Sequence, residues 1–151
     1  HPSEKQTWEH GYLAEKFVYE KLKEKFGLTN VSWISAYSIE GNGNNSSNDN
    51  AHYDIEYKDI LNQRHFVEVK ASVDRNVRFI ISKAEVDFAL KHTDEYDIIY
   101  VQILDGHIEG ASEFGKIFAF DEKQNFMRNT KFSVENNDFT IKAKIVDKKF
   151  E

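Results

Sequence analysis

The strongest constraint on how this chain folds is a pair of alternating runs, Tyr53-Asp54-Ile55-Glu56-Tyr57 and Phe66-Val67-Glu68-Val69-Lys70. Alternation of apolar and polar residues is the mark of half-buried β-strands. The connecting Asp59-Ile60-Leu61-Asn62-Gln63 is short and partly polar, as a hairpin loop is. Residues two apart on a strand share a face, so Glu68 and Lys70 point the same way. Pairing of the runs sets Asp54 beside them. Two carboxylates and an ammonium on one sheet face make a place for a divalent metal and a phosphate.

The flanking sequence predicts what packs on that hairpin. Trp8, Tyr12, Tyr19, Leu22 and Phe26 recur at three- and four-residue steps, predicting an amphipathic helix from Trp8 to Phe26 that ends at Gly27. Glu15 falls inside its apolar stripe, where an unpaired carboxylate is costly. Val31 to Tyr37 reads as a strand, and residues 40–50 as a polar loop. Ser82-Lys83-Ala84-Glu85 has capping-box form and opens a helix through about His92. Tyr96 to Leu104 is nearly continuously apolar, as in a strand covered on both faces, and Asp105-Gly106 ends it. Lys116 to Phe120 and Phe139 to Val146 read as later strands, joined by a polar connection around 135–138. Trp8, Trp33 and most of the phenylalanines are core candidates. The order predicts an α/β fold, a mixed sheet flanked by helices, with an α-β-β-β-α-β core at about 8–104 and a C-terminal β extension at 105–151.

At 151 residues the chain is read as one domain with a real core. No run of 18 or more apolar residues offers a membrane span. The N-terminus lacks both a signal-peptide core and an initiator Met, which suggests an excised piece. The absence of Cys excludes disulfides and thiolate metal sites and suits a reducing cytoplasm. A net charge of −6 argues against generalised nucleic-acid affinity. The stretch from Lys58 to Lys83 is nonetheless locally positive, with Arg64, Lys70, Arg75 and Arg78 outweighing Asp59, Glu68 and Asp74.

Phosphodiester hydrolysis needs a water placed near a crowded anion and neutralisation of charge growing on the phosphoryl oxygens. Mg²⁺ held by one or two carboxylates meets both needs. Asp54 and Glu68 have the ligand chemistry, and the Val69 carbonyl adds an oxygen. Lys70 orients or activates the water and balances negative charge. Glu15 is placed to reach the metal's water shell or to hold Lys70.

This arrangement resembles the PD-(D/E)xK nuclease superfamily, the restriction-endonuclease-like fold, with Asp54 as its first acid and Glu68-Val69-Lys70 as its second acid, hydrophobic residue and lysine. His52-Tyr53 stands where a proline would precede the first acid. More narrowly, Gly11-Tyr12-Leu13-Ala14-Glu15-Lys16-Phe17-Val18 is similar to the opening helix of the NO VEIN C-terminal domain family. Tyr53-Asp54-Ile55, Phe66 to Ser72 and Phe79 to Glu85 are similar to its next blocks. The resemblance implies a Mg²⁺-dependent endonuclease acting on DNA, with Mn²⁺ as a substitute and Asp54, Glu68, Lys70 and Glu15 in the site. It also implies attachment to an ATPase or helicase in a restriction or phage-defence setting. Related nucleases often cut as homodimers, though no dimer face is legible in this sequence.

The residues leave other readings open. Asp54 is also an ordinary strand residue, and Glu68 with Lys70 a solvent-facing ion pair worth little. Glu56 shares Asp54's face but reads as exposed decoration, and Glu85 as a plain capping carboxylate. Arg75 and Arg78 are candidate backbone-phosphate contacts, and Lys83 and Ser72 candidate phosphate binders. His52 and His65 lack zinc spacing and rank below the carboxylates. A non-catalytic nucleic-acid-binding or protein-interaction module of the same fold is the alternative function.

Overall fold

Helix α1 (Glu4–Phe26) begins a turn before its apolar stripe because Ser3 and Gln6 form a capping box, Gln6 N donating to Ser3 Oγ and Ser3 N to Gln6 Oε1. It ends, as expected, at Gly27, whose φ of 90° suits glycine. The computed structural model describes residues 3–38, 51–73, 77–114, 132–135, 140–143 and 149–150. The polar loop expected at 40–50 and the strand expected at Lys116 to Phe120 lie outside them.

Strand β1 (Val31–Trp33) is shorter than the sequence suggests, and a 3-10 turn takes Ala36–Ser38. Ile34 N and Ser35 N both donate to the Asp54 carbonyl, at 2.7 and 3.3 Å, which draws the chain across the end of the next strand instead of along it. The expected hairpin is formed by β2 (Ile55–Lys58) and β3 (Arg64–Ser72), with Ile55 opposite Val67 and Tyr57 opposite His65. Asp59 Oδ1 fixes its turn by accepting from Leu61 N and Gln63 N, both at 2.9 Å.

Strand β4 (Arg78–Ile80) precedes helix α2 (Lys83–Lys91), which returns the chain to β5 (Tyr96–Leu104), parallel to β3. A turn at Asp105-Gly106, with φ of 52° and 78°, leads into β6 (His107–Glu113), antiparallel to β5. The main sheet therefore runs β1-β2-β3-β5-β6. A smaller sheet, in the order β4-β8-β7, joins β4 to β8 (Thr140–Ala143) and β7 (Phe132–Glu135).

Helix α2 and β5 occupy their predicted positions, and β8 falls within the predicted Phe139 to Val146. Strands β4 and β6 were not legible. The first is only three residues long, and His107–Glu113 carries Ile108 as its one large aliphatic side chain.

The main sheet has an apolar core on each face. Helix α1 packs Ala14, Val18, Tyr19 and Leu22 against Val67, Val69, Ile99, Val101 and Ile103. On the opposite face, Val86 and Ala89 of α2 meet Phe66, Ile98 and Tyr100, together with Phe79 and Ile81. Trp33 is fully buried as expected, but Trp8 is 46 % exposed. Trp8 stands near the start of α1 and stacks on Tyr12 with ring centroids 5.7 Å apart. Among the described residues, no helix is long and apolar enough to cross a membrane.

Candidate functional site

The site forms where β2 stops and β3 continues. Asp54 N donates to the Val67 carbonyl (2.8 Å), after which the Asp54 side chain takes over the pairing: its Oδ2 accepts from Val69 N at 2.8 Å. The N–H and C=O of one strand residue point to the same side, so the Val69 carbonyl also faces the Asp54 edge. Two open cavities meet at this point. One, of about 430 Å³, lies between α1 and the end of β3 and is lined by Thr7, His10, Gly11, Glu15, Tyr37, Asp54, Glu68, Val69 and Ser72 among others. The other, of about 250 Å³, is lined by Ser35, His52, Tyr53, Asp54, Glu68, Ser82 and Glu85. Asp54 and Glu68 belong to both.

Glu68 is buried, at 8 % exposure, so the solvent-facing ion pair is excluded. Lys70 Nζ lies 3.3 Å from Glu68 Oε1 and 3.1 Å from each carboxylate oxygen of Glu85. Glu85 is thus more than the capping residue expected. Its Oε1 accepts from Ser82 N at 2.8 Å, completing the capping box, while the same carboxylate grips the lysine and hydrogen-bonds Glu68. Nothing local marked it for the second role, because its distance to Lys70 depends on how α2 packs across β3.

Glu15 is buried without being unpaired. Its Oε1 accepts from Trp33 Nε1 at 3.0 Å and from Ser35 Oγ. It shares the larger cavity with Asp54 and Glu68, as the reach to a metal's water shell requires. The carboxylates on Lys70 are instead Glu68 and Glu85.

Crowding of acids in a poorly hydrated place sets the protonation. Burial pushes Asp54 up to about 7, and the nearby charge of Glu85 adds to it. The Val69 N–H, the Lys70 charge and a hydrogen bond with Glu68 pull the other way. Burial also raises Glu68 well above the carboxylate range, reinforced by Asp54 and only partly countered by Lys70. Burial acts against the Lys70 ammonium, but Glu68, Glu85 and Asp54 outweigh it and raise its pKa. Burial likewise pushes Glu85 up, yet its bond with Glu68, the Lys70 charge and the Ser82 N–H together carry it below the usual value.

The nucleic-acid candidates are scattered. Ser72 lines the larger cavity. Lys83 is 78 % exposed, pairs with Asp87 Oδ2 at 2.8 Å and lines neither cavity. Arg78 is exposed at the start of β4 and lines neither cavity. Arg75 lies outside the described residues. Arg64, part of the positive stretch, is paired with Glu95 at 3.0 Å. Glu56 is held by the Tyr53 hydroxyl at 3.1 Å and does not line either cavity. His65 bridges Asp97 and Asp59 at 3.0 and 2.8 Å near the hairpin turn, while His52 lines the smaller cavity. Ser35 and Tyr37 join the cavities through local geometry that no spacing in the sequence announces.

No curated protein and no solved structure matches the chain. A match to a family does cover α1 from Ala14 through the hairpin, α2, β5 and into β6, which is every element that positions the carboxylates and lysine: over residues 14–110 the chain belongs to the family described as Protein NO VEIN, C-terminal.

Proposed function

We propose that this domain is a Mg²⁺-dependent endonuclease of the PD-(D/E)xK type, hydrolysing phosphodiester bonds in DNA. One observation carries the reading. Asp54 and Glu68, on neighbouring strands, line both open cavities, with Asp54 fixed on the Val69 main chain and Lys70, which lines neither cavity, 3.3 Å from Glu68 Oε1. Carboxyl groups raised by a poorly hydrated cleft cluster at functional sites, which supports the reading.

The donor set fits a hard cation. Among the described residues no group of three or more His, Cys, Asp or Glu side chains is arranged to hold a metal. We assign the ion to Asp54, Glu68 and the Val69 carbonyl, a set that would leave most of the Mg²⁺ shell to water and phosphate, as is common for this ion. Bound there, it supplies positive charge to the phosphoryl oxygens and acidifies a water. Lys70, kept an ammonium by its acidic neighbours, offers N–H donors to a phosphoryl oxygen or to the attacking water. It is an electrostatic stabiliser and not a base. Glu15, anchored by Trp33 and Ser35, presents its carboxylate to the cavity and orders water there. Attachment to an ATPase or helicase in a restriction or phage-defence assembly belongs to the same proposal, and rests on the family resemblance.

The test is nicking of supercoiled plasmid by the purified domain with Mg²⁺ or Mn²⁺. Activity should vanish in Lys70→Ala and Asp54→Asn while circular dichroism stays native. Retained cleavage in both variants would strip Lys70 and Asp54 of these roles.

A second reading, a non-catalytic nucleic-acid or protein-interaction module, draws support from the net charge of −6 and from cations already engaged by acids, Arg64 with Glu95 and Lys83 with Asp87. Calorimetric titration with Mn²⁺ separates the two. Absence of binding, with or without DNA, favours the module.

A further inference from the structure

We infer that Glu85 is a positioning residue for the Lys70 ammonium, so that the start of helix α2 sets the geometry of the candidate site; this rests on the proposed nuclease reading. Both oxygens of Glu85 lie 3.1 Å from Lys70 Nζ, a two-point grip on a side chain that otherwise has four rotatable bonds. The grip is itself anchored. Ser82 N donates to Glu85 Oε1 at 2.8 Å, and Glu85 N donates to Ser82 Oγ at 3.1 Å, which locks the carboxylate to the first turn of the helix.

That turn is held in place by packing. Val86, one residue on, is buried against the sheet with Ala89, Phe66, Ile98 and Tyr100. Lys70 stands on β3 beside Tyr100 of β5, and so beneath the same helix. The chain of support runs from the apolar face of α2, through the capping box, to Nζ. The lysine's own strand neighbour Glu68 also touches Nζ, at 3.3 Å from one oxygen, but it is one of the two carboxylates assigned to the metal, whereas Glu85, which lines the smaller cavity with it, is not. A carboxylate outside the metal set is therefore what keeps Nζ aimed while Glu68 serves another partner. Misplacing a catalytic group by about 1 Å can cost on the order of a hundredfold in rate.

Glu85→Gln discriminates this role from capping. Glutamine serves a capping box as well as glutamate does and keeps a side-chain oxygen for Ser82 N, but it loses the charge and one acceptor for Lys70. The expected result is a kcat for plasmid nicking lower by about tenfold or more, with KM for DNA and the melting temperature nearly unchanged. Glu85→Asp, which keeps the charge on a shorter arm, should recover part of the loss. A second readout does not depend on turnover. In ¹⁵N-detected spectra, the wild-type Lys70 ammonium should give a slowly exchanging signal, and Glu85→Gln should broaden or shift it.

A Glu85→Gln protein with wild-type kcat and an unmoved Lys70 signal overturns the inference. If the wild-type domain never cleaves DNA, the proposed function fails, and the ammonium signal alone decides whether Glu85 holds Lys70.

Discussion

Asp54 Oδ2 accepts a hydrogen bond from the main-chain N–H of Val69 at 2.8 Å, so a side chain occupies the place in the β2–β3 ladder that a backbone carbonyl would otherwise take. The hairpin opens at that point, and the opening is the candidate site. A ladder continued by two residues would close the gap where the cavities meet and leave Asp54 on an ordinary strand.

Replacement of Asp54 should therefore depend on the replacement. Asparagine keeps an oxygen for Val69 N–H and should leave the fold intact, while DNA nicking falls by at least about a hundredfold. Alanine should lose activity equally and also destabilise the domain by about 1 kcal/mol, because the Val69 N–H is left to water. Urea unfolding of both variants beside the plasmid assay checks the contrast. Equal stability of Asn and Ala variants would contradict it.

Metal binding should be steeply pH-dependent. Burial pushes Asp54 up to about 7 and raises Glu68 as well, so protons compete with a cation for this pair in mildly acid solution. A cation must displace those protons, so Mn²⁺ affinity should be weak at pH 6 and strengthen through pH 8. Calorimetry in two buffers of different ionisation enthalpy would count the protons released. A flat affinity profile would argue against these ligands.

The same shift has a sign for stability. A carboxyl whose folded pKa lies above its ordinary 3.8 favours the folded state while protonated. That contribution is full below about pH 4 and is lost as pH rises towards 7. The metal-free domain should thus melt at lower temperature at pH 8 than at pH 5, and added Mn²⁺ should reverse most of the loss. Asp54→Asn should flatten both responses.

Glu15 holds a buried indole. Glu15→Ala strands Trp33 Nε1 and should cost about 1–3 kcal/mol, whereas Glu15→Gln retains an acceptor and should cost less than about 1 kcal/mol. Chemical denaturation followed by tryptophan fluorescence measures the difference. If Glu15 also serves the cavity, Glu15→Gln should lower nicking despite its near-native stability.

Gly11 reverses the usual helix rule. Glycine to alanine inside a helix normally stabilises by up to about 1 kcal/mol. In α1 a Cβ at this position would sit 2.6 Å from the Tyr37 hydroxyl oxygen and 2.9 Å from the ring carbon bearing it. Tyr37 lines the larger cavity, so it must move or the helix must shift. Gly11→Ala should destabilise by about 1–3 kcal/mol in a thermal melt. A raised melting temperature would show that Tyr37 yields freely.

Periodicity and end signals lie within a few neighbouring residues, and by themselves they determined the α/β class, the hairpin, α2 with its Ser82 cap and the bounds of β5. They also put Asp54, Glu68 and Lys70 near one another, because alternation and pairing fix which strand residues share a face. What only the tertiary structure decided is which distant groups complete the site. Glu85 reached Lys70 because α2 packs over β3 and β5, and Glu15 found Trp33 because α1 covers the opposite face. Trp8 stayed half exposed against Tyr12, and Lys83 turned to Asp87 because its side of α2 faces solvent. A sequence pattern records which way a side chain points relative to its own backbone. How far it stands from a residue on another element is set by the volumes packed between them, and no local pattern carries that distance.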